Sequence, residues 1–119
     1  MPTMIASLFD GKNEMRITQL SQPILGPYDA MILVRETGIC GSDLIFYSDQ
    51  TKPEIYPGGH EVAGEIVDVG NNCEKKLIGQ RVAIDTVGQG LACGKCRYCE
   101  HHQYQHCEHP DQDEGGGFA

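Results

Sequence analysis

The sequence predicts a mainly β domain, either a barrel or a sandwich, that also carries short helices. Apolar residues lie in short segments that are divided by Gly, Pro, Asn and Asp. The chain holds 15 glycines in 119 residues, and turn signals recur between the apolar segments. Short strands at regular spacing are typical of barrels and sandwiches. A chain of this length suffices for a single core, so we expect residues 1–119 to form one domain.

Each strand is predicted where β-branched and other apolar residues recur between turn signals. In chain order, the predicted strands span residues 4–8, 15–20, 30–35, 61–69 and 81–84. Turns are predicted at residues 10–13, 23–29 and 70–72, where Asp, Gly, Asn and Pro cluster. One helix is predicted, at residues 42–47.

The composition argues against several classes of partner. The formal net charge of −8 disfavours nucleic acid, because neutralising phosphates requires an excess of Lys and Arg. Residues 1–17 lack the basic start and apolar centre of a signal peptide. No apolar run approaches the ~20 residues of a membrane helix. We therefore expect a cytoplasmic protein that does not contact a membrane.

A row of four cysteines is the most informative motif. Beyond about residue 85 the apolar pattern stops, so this segment has too few apolar residues to form a core of its own. The spacing Cys93-x2-Cys96-x2-Cys99-x7-Cys107 suits one tetrahedral zinc ion, because a compact loop can present four thiolates to it. The metal would then organise the segment. The alternative is a pair of disulfides, which is typical of secreted proteins.

A second and smaller group consists of Cys40 and His60. Glycines flank both residues, and glycine lets the backbone approach an ion closely. Each residue lies at the edge of a predicted strand, so a thiolate and an imidazole could meet at one zinc. Taken alone the signal is weak, because single Cys and His residues are more often packed or solvated. Cys73 lies in a polar turn and is predicted to be a free thiol.

Four segments in a fixed order carry a family resemblance. They are GICGSDLIFY, GGHEVAGEIVDVG, IGQRVAID and the cysteine row. Through them, residues 2–119 resemble the N-terminal catalytic domain of the zinc-dependent medium-chain alcohol and polyol dehydrogenases. The resemblance implies a GroES-like β-barrel with short helices and a projecting structural-zinc lobe at about residues 85–110.

The resemblance also implies the ligands of two zinc ions. Cys40 and His60 would be two ligands of the catalytic zinc. Glu61 would lie beside that ion and approach it when the water or substrate leaves. The structural zinc would be bound by the four residues of the row, Cys93, Cys96, Cys99 and Cys107.

Two further residues receive catalytic roles from the resemblance. Ser42 matches the hydroxyl that hydrogen-bonds the substrate alcohol and takes its proton. Asp43 would accept a hydrogen bond from the His60 nitrogen that does not bind the metal, which fixes the ring. The implied reaction moves a hydride between a secondary alcohol, of the polyol, amino-sugar or hydroxy-amino-acid class, and NAD or NADP. The expected assembly is a homo-oligomer.

The sequence departs from the family pattern in two respects. Many members carry a proton-relaying histidine where this chain has Ile45. The 119 residues also contain no Gly-x-Gly-x-x-Gly motif. In the family, the dinucleotide-binding Rossmann domain and the third ligand of the catalytic zinc come later in the chain. We therefore expect that domain to be absent here, and these residues to show no dehydrogenase activity on their own.

Other interpretations exist for the same residues. Ser42 can cap a helix, Asp43 can be an ordinary first-turn carboxylate, and Glu61 can simply begin a strand. The cysteine row partly matches an iron–sulfur electron-transfer module, but the bacterial pattern has three residues before its fourth cysteine and a proline after it. A non-catalytic zinc-binding GroES-like module is a third alternative. The remaining histidines near the row are expected to be solvated: His101, His102, His106 and His109.

Overall fold

The structure, a computed structural model, describes residues 1–9, 13–48, 56–57, 59–85 and 92–109. The chain divides into two compact units, and the boundary lies between Ala83 and Ile84. We call the described residues before this boundary the sheet unit and those after it the cysteine lobe.

Six strands lie in the described part of the chain, all of them in the sheet unit. In chain order they are β1 Thr3–Phe9, β2 Met15–Ser21, β3 Ala30–Thr37, β4 Tyr56–Pro57, β5 Val62–Val69 and β6 Arg81–Ala83. The five strands predicted from the sequence are confirmed with ends that differ by one or two residues. The two-residue strand β4 has no sequence signal of its own, because it is defined by its pairing with β1.

The strands form two antiparallel sheets of three strands each. The first has the order β2-β1-β4 and the second has the order β3-β5-β6. In the second sheet, Thr37 at the end of β3 lies opposite Val62 at the start of β5. The register of this pair shifts between Val34 and Glu36, which marks a bulge in β3. The predicted mainly β fold is therefore confirmed.

The apolar core of the sheet unit comes mainly from alternate positions of β1 and β5. Ala6 and Leu8 are buried on β1, and Val62, Ile66 and Val69 are buried on β5. Successive side chains of a strand point to opposite faces, so the two buried residues of β1 share one face, as do Val62 and Ile66 on β5. Val69 lies at an odd spacing from Ile66, beyond a register shift in the β3–β5 pairing. Burial of these side chains fixes β5 in the sheet unit, and β5 begins directly after His60 and Glu61.

The described residues contain two short α-helices and two 3-10 helices. These are α1 at Asp43–Ser48, α2 at Arg97–Glu100, and the 3-10 turns Lys75–Leu77 and Tyr104–His106. The predicted helix at residues 42–47 is confirmed by α1. A second short helix forms in the cysteine lobe, where the apolar pattern gives no signal, and the expectation of a mainly β fold with short helices is confirmed. No helix among the described residues is long and apolar enough to cross a membrane.

The cysteine lobe buries its own cysteines in place of large apolar side chains. Cys96 and Cys99 are 8% and 4% exposed, and they are the buried residues in the described part of this unit. Cys99 lies within α2 and Cys96 is its N-cap residue. The lobe is therefore built around the thiols.

Candidate metal centres

Strand pairing brings the smaller of the two candidate groups together. Cys40 comes shortly after β3 and His60 comes shortly before β5, and the end of β3 lies opposite the start of β5. The backbone N–H of Gly38 continues this pairing by donating a hydrogen bond to the carbonyl of Glu61 at 2.7 Å. As a result, Cys40, His60 and Glu61 each place one potential ligand atom within 4.8 Å of the others.

Asp43 fixes the loop that carries Cys40. Its Oδ2 accepts a hydrogen bond from the backbone N–H of Cys40 at 2.8 Å, and its own N–H donates to the Cys40 carbonyl at 3.0 Å. Aspartate commonly closes tight turns in this way. The residue is 4% exposed, and its second oxygen, Oδ1, has no hydrogen-bond partner among the described residues. A buried carboxylate oxygen without a partner is costly, so this oxygen calls for a donor.

The imidazole of His60 lies between Asp43 and Ser42. Its Nδ1 is 3.5 Å from Oδ1 of Asp43, and its Nε2 is 3.4 Å from Oγ of Ser42. A small movement of the ring toward Asp43 would give the orphaned oxygen a hydrogen bond from Nδ1. The lone pair of Nε2 would then be available to a metal, which is the usual arrangement of a carboxylate behind a zinc-binding histidine.

Cys40 and His60 affect each other's pKa through the hydrogen bond between them. Hydrogen bonds from Ser42 and then from His60 lower the pKa of the Cys40 thiol. The hydrogen bond with Cys40, followed by the charges of Asp43, Cys40 and Glu61, raises the pKa of His60 against the opposing effect of burial. Both shifts favour a thiolate beside an imidazolium in the metal-free protein. A metal cation at this place would take over the role of the imidazolium proton.

The donor set of the smaller group suits a zinc ion. Thiolate, imidazole and carboxylate are all zinc ligands, and catalytic zinc sites use three protein ligands with one open position. Cys40 and His60 are partly buried, whereas Glu61 is exposed. The orphaned oxygen of Asp43 supports the fit, because it is placed to orient His60 when a metal is bound.

The four cysteines of the row form the second group, within the cysteine lobe. Their sulfur atoms all lie within 4.8 Å of one another. Sγ of Cys99 is 3.6 Å from Sγ of Cys96 and 3.9 Å from Sγ of Cys93. Sγ of Cys107 accepts backbone N–H bonds from Cys93 and His109, each at 3.3 Å. All six cysteines of the chain are free thiols, and the four sulfur atoms of the row are close enough to bind one metal ion.

The surroundings of the row shift the pKa values of Cys96 and Cys99 in opposite directions. Backbone hydrogen bonds, the largest from Glu108, lower the pKa of Cys96 to about 6. Burial raises the pKa of Cys99 to about 12. A buried thiol among other sulfurs loses its proton when a cation is present, because the cation compensates the negative charge. Four thiolates at these distances fit a tetrahedral structural zinc.

The structure brings together every residue that the sequence singles out as a site residue. Ser42, Asp43 and Glu61 surround Cys40 and His60, and the four row cysteines converge. Cys73 lies apart, with its thiol 3.6 Å from the carbonyl of Asp29. The four additional histidines near the row are exposed, as expected: His101, His102, His106 and His109.

Sequence patterns do not reveal the backbone donors of the cysteine lobe. The N–H groups of Glu108 and His109 bind the sulfurs of Cys96 and Cys107. Any non-proline residue can donate such a bond, so no residue type marks these positions. The helix α2, which presents Cys99, carries no apolar periodicity either.

Comparison with known proteins identifies similar sequences and structures. Residues 26–119 match the alcohol dehydrogenase GroES-like domain family. The chain is 38% identical over 101 residues to the D-arabitol-phosphate dehydrogenase of Enterococcus avium, which covers 83% of this chain and 28% of that protein. It is 36% identical over 97 residues to the L-threonine 3-dehydrogenase of Thermococcus kodakarensis, with 77% of this chain and 27% of that protein covered.

A solved structure agrees with these relatives. The structure of CAD from Helicobacter pylori, complexed with NADP(H), matches with a TM-score of 0.72 and 31% sequence identity, over 87% of this chain and 30% of that chain. The chain therefore spans less than a third of the length of each of these proteins. The family match covers most of the chain, and the mainly β fold and the cysteine row agree with it. The chain belongs to the alcohol dehydrogenase GroES-like domain family, within the zinc-dependent medium-chain alcohol and polyol dehydrogenases.

Proposed function

We propose that this domain supplies the catalytic zinc site of a dehydrogenase that moves a hydride between a secondary alcohol and NAD or NADP. The observation that carries the proposal is the arrangement around His60. Its Nδ1 faces the buried Oδ1 of Asp43, which has no hydrogen bond, and one of its ring nitrogens lies within 4.8 Å of ligand atoms of Cys40 and Glu61. The group has three potential protein ligands, one of them exposed, whereas the row has four cysteines, and a catalytic zinc differs from a structural one by keeping an open position.

In this proposal Cys40 and His60 hold the catalytic zinc and Glu61 lies beside it. A bound zinc would make an alcohol lose its proton more readily, because the cation stabilises the alkoxide. Asp43 keeps the His60 proton on Nδ1 and thereby leaves Nε2 free. The exposed carboxylate of Glu61 can approach or leave the ion without disturbing the core.

Ser42 is the proposed acceptor of the substrate proton. Its hydroxyl lies 3.4 Å from Nε2 of His60, so it is next to the place where the alcohol oxygen would bind. A hydroxyl both donates and accepts hydrogen bonds and can therefore pass a proton on. Ile45, at the position of the family's relay histidine, is 65% exposed and cannot carry a proton, so the next acceptor is solvent water.

The substrate class and cofactor follow from the relatives. The relatives named above act, by their names, on a polyol phosphate and on a hydroxy amino acid. We propose a substrate whose secondary alcohol has a hydroxyl or amino group on the neighbouring carbon. The nicotinamide would be bound by residues other than these 119, which lack the Gly-x-Gly-x-x-Gly motif. We also propose a homo-oligomer in the cytoplasm, where free thiols persist.

The test is a cobalt titration of the 119-residue chain. We expect two cobalt ions per chain, with the first filling the four-cysteine group and the second binding more weakly at Cys40 and His60. The Asp43→Asn substitution should weaken the second site by about 10- to 100-fold and leave the first unchanged, because the amide orients the imidazole less well. Asp68→Asn, an exposed aspartate on β5, is the matched control.

The outcomes separate the proposal from its alternatives. A cobalt site that remains single at the highest cobalt concentrations would favour the non-catalytic zinc module. Visible absorbance from bound iron in the purified chain would favour the electron-transfer module. Oxidation of polyols is expected only when a dinucleotide-binding domain is present, and measurable turnover by the 119 residues alone would contradict that part of the proposal.

A further inference from the structure

We infer that Gly38 is a positioning residue: the absence of a side chain there creates the space in which the Glu61 carboxylate lies beside Cys40 and His60. This inference rests on the proposed function, because it concerns the residue next to the catalytic metal. Gly38 itself provides no ligand atom, so it would act entirely through Glu61.

The geometry around Gly38 carries the inference. A Cβ atom placed on Gly38 would meet the Glu61 carboxylate oxygen Oε2 and lie 3.2 Å from Cβ and 3.4 Å from Cδ of the same residue. These are the three nearest atoms, and all belong to Glu61. The carboxylate of Glu61 therefore occupies the volume that any larger residue at position 38 would fill.

Backbone pairing fixes Gly38 against Glu61. The N–H of Gly38 donates to the carbonyl of Glu61 at 2.7 Å, directly beyond the pairing of Thr37 with Val62. The two main chains thus cannot separate without breaking the end of the β3–β5 ladder. A methyl group at position 38 must instead displace the Glu61 side chain, which is exposed and free to move.

In the described part of the chain, the attraction between its charge and His60 is the other interaction of the Glu61 carboxylate. It forms no ion pair or side-chain hydrogen bond with another described residue. Its oxygen nevertheless lies within 4.8 Å of the ligand atoms of Cys40 and His60. The open space above Gly38 is therefore the feature that allows this approach.

The backbone of Gly38 gives no competing reason for glycine. Positive φ angles occur at Gly59, Gly79 and Gly94, and Gly38 does not have one. Alanine at position 38 is consequently not strained by its own conformation. Gly41 offers a matched control, because it flanks Cys40 on the other side and a Cβ there would meet nothing within 4 Å.

The experiment compares Gly38→Ala, Gly41→Ala, Glu61→Ala and the double variant Gly38→Ala/Glu61→Ala by cobalt titration of the chain. Gly38→Ala should weaken the second cobalt site by about 10-fold, as expected when a group next to a metal is misplaced. Gly41→Ala should stay within about twofold of the unsubstituted chain. In the Glu61→Ala background, Gly38→Ala should cause no further loss, because the residue through which it acts is gone.

A second readout does not depend on metal. In the metal-free chain with carbon-13 in its glutamate carboxyl groups, the Glu61 resonance should shift in Gly38→Ala and stay unchanged in Gly41→Ala. Thermal unfolding of the two variants should agree, since Glu61 moves into solvent.

Each result has a defined meaning. Equal losses from Gly38→Ala with and without Glu61 would overturn the inference in favour of a backbone role. An unfolded Gly38→Ala chain would also overturn it, because displacing an exposed side chain cannot unfold the sheet. If the unsubstituted chain binds one cobalt only, the proposed function fails, and the Glu61 resonance alone decides whether Gly38 positions it.

Discussion

The sheet unit and the cysteine lobe bury different kinds of residue. The sheet unit buries Ala6, Leu8 and the inward side chains of β5, such as Ile66. The described part of the cysteine lobe buries Cys96 and Cys99. Apolar burial stabilises a fold with no cofactor, whereas clustered thiols stabilise one only when a cation neutralises them. Two stretches of the same chain thus depend on different conditions, and perturbations chosen for one should spare the other.

The largest expected effect is the loss of a thiolate from the cysteine lobe. Cys99→Ser removes the sulfur that lies 3.6 Å from Cys96 and 3.9 Å from Cys93. We expect the amide protons of residues 92–109 to lose their protection from hydrogen exchange, because the zinc proposed for the four cysteines would be the main source of order there. Amides of β1 and β5 should remain protected. Cys73→Ser, which changes a thiol outside both groups, is the control.

A protected cysteine lobe in the Cys99→Ser chain would contradict this view. It would mean that the lobe is held by packing that the cysteine distances do not reveal. Equal loss of protection in β5 would contradict it in another way, because the two regions would then unfold as one.

The converse substitution weakens the sheet unit. Ile66 on β5 is 6% exposed, and its truncation to alanine should lower the free energy of unfolding by about 2–5 kcal/mol. The first cobalt spectrum, from the row of cysteines, should be unchanged at temperatures below the unfolding transition. Ile17→Ala on β2, where the side chain is 78% exposed, should change stability by less than about 0.5 kcal/mol. Urea unfolding of both variants measures the difference.

The smallest expected effect concerns the number of protons that are released when metal binds to the cysteine lobe. The pKa of Cys96 is lowered to about 6, so at about pH 7.5 this thiol is already ionised and has no proton to give up when metal binds. The pKa of Cys99 is raised to about 12, so this thiol still carries its proton. Metal binding to the four cysteines should therefore release fewer than four protons. Below about pH 6, where Cys96 is protonated, the number should increase.

Calorimetry in buffers of different ionisation enthalpy measures this release, with Cys40→Ser used to remove the weaker site. Release of four protons at about pH 7.5 would show that Cys96 is not ionised in the metal-free lobe. If the number of released protons were the same at about pH 7.5 and below about pH 6, the conclusion would be the same.

Much of the sheet unit could be predicted from local signals. Strands β2 and β5 lie between turn residues and contain β-branched side chains, which act within a few residues. The bulge between Val34 and Glu36 and the two-residue strand β4 have no such signal, because they depend on which strands pair. The helix Arg97–Glu100 is short and polar, so its order depends on the cysteines around it.

The residues of the candidate sites also differ in how far they could be predicted from local signals. The row of four cysteines is visible in the sequence because its ligands are close together in the chain. Cys40 and His60 are far apart in the chain. Their residues alone did not show that they meet, and the family resemblance was needed to predict it. The β3–β5 pairing brings them together. The contact between Gly38 and Glu61 is beyond any local pattern, because the two residues are far apart in the sequence and meet only through the pairing of β3 with β5.

The register of the β3–β5 ladder has a consequence for how this domain can diverge. Side chains alternate between faces along a strand, so a slip of one residue in this pairing would bring different side chains opposite Cys40. The bulge between Val34 and Glu36 already adds one residue to β3 just before the candidate site. An insertion within the 3-10 turn Lys75–Leu77 would lie outside the ladder, whereas a deletion within β3 would change which residues meet at the candidate site. The length of the ladder therefore constrains the candidate site more than the length of that turn does.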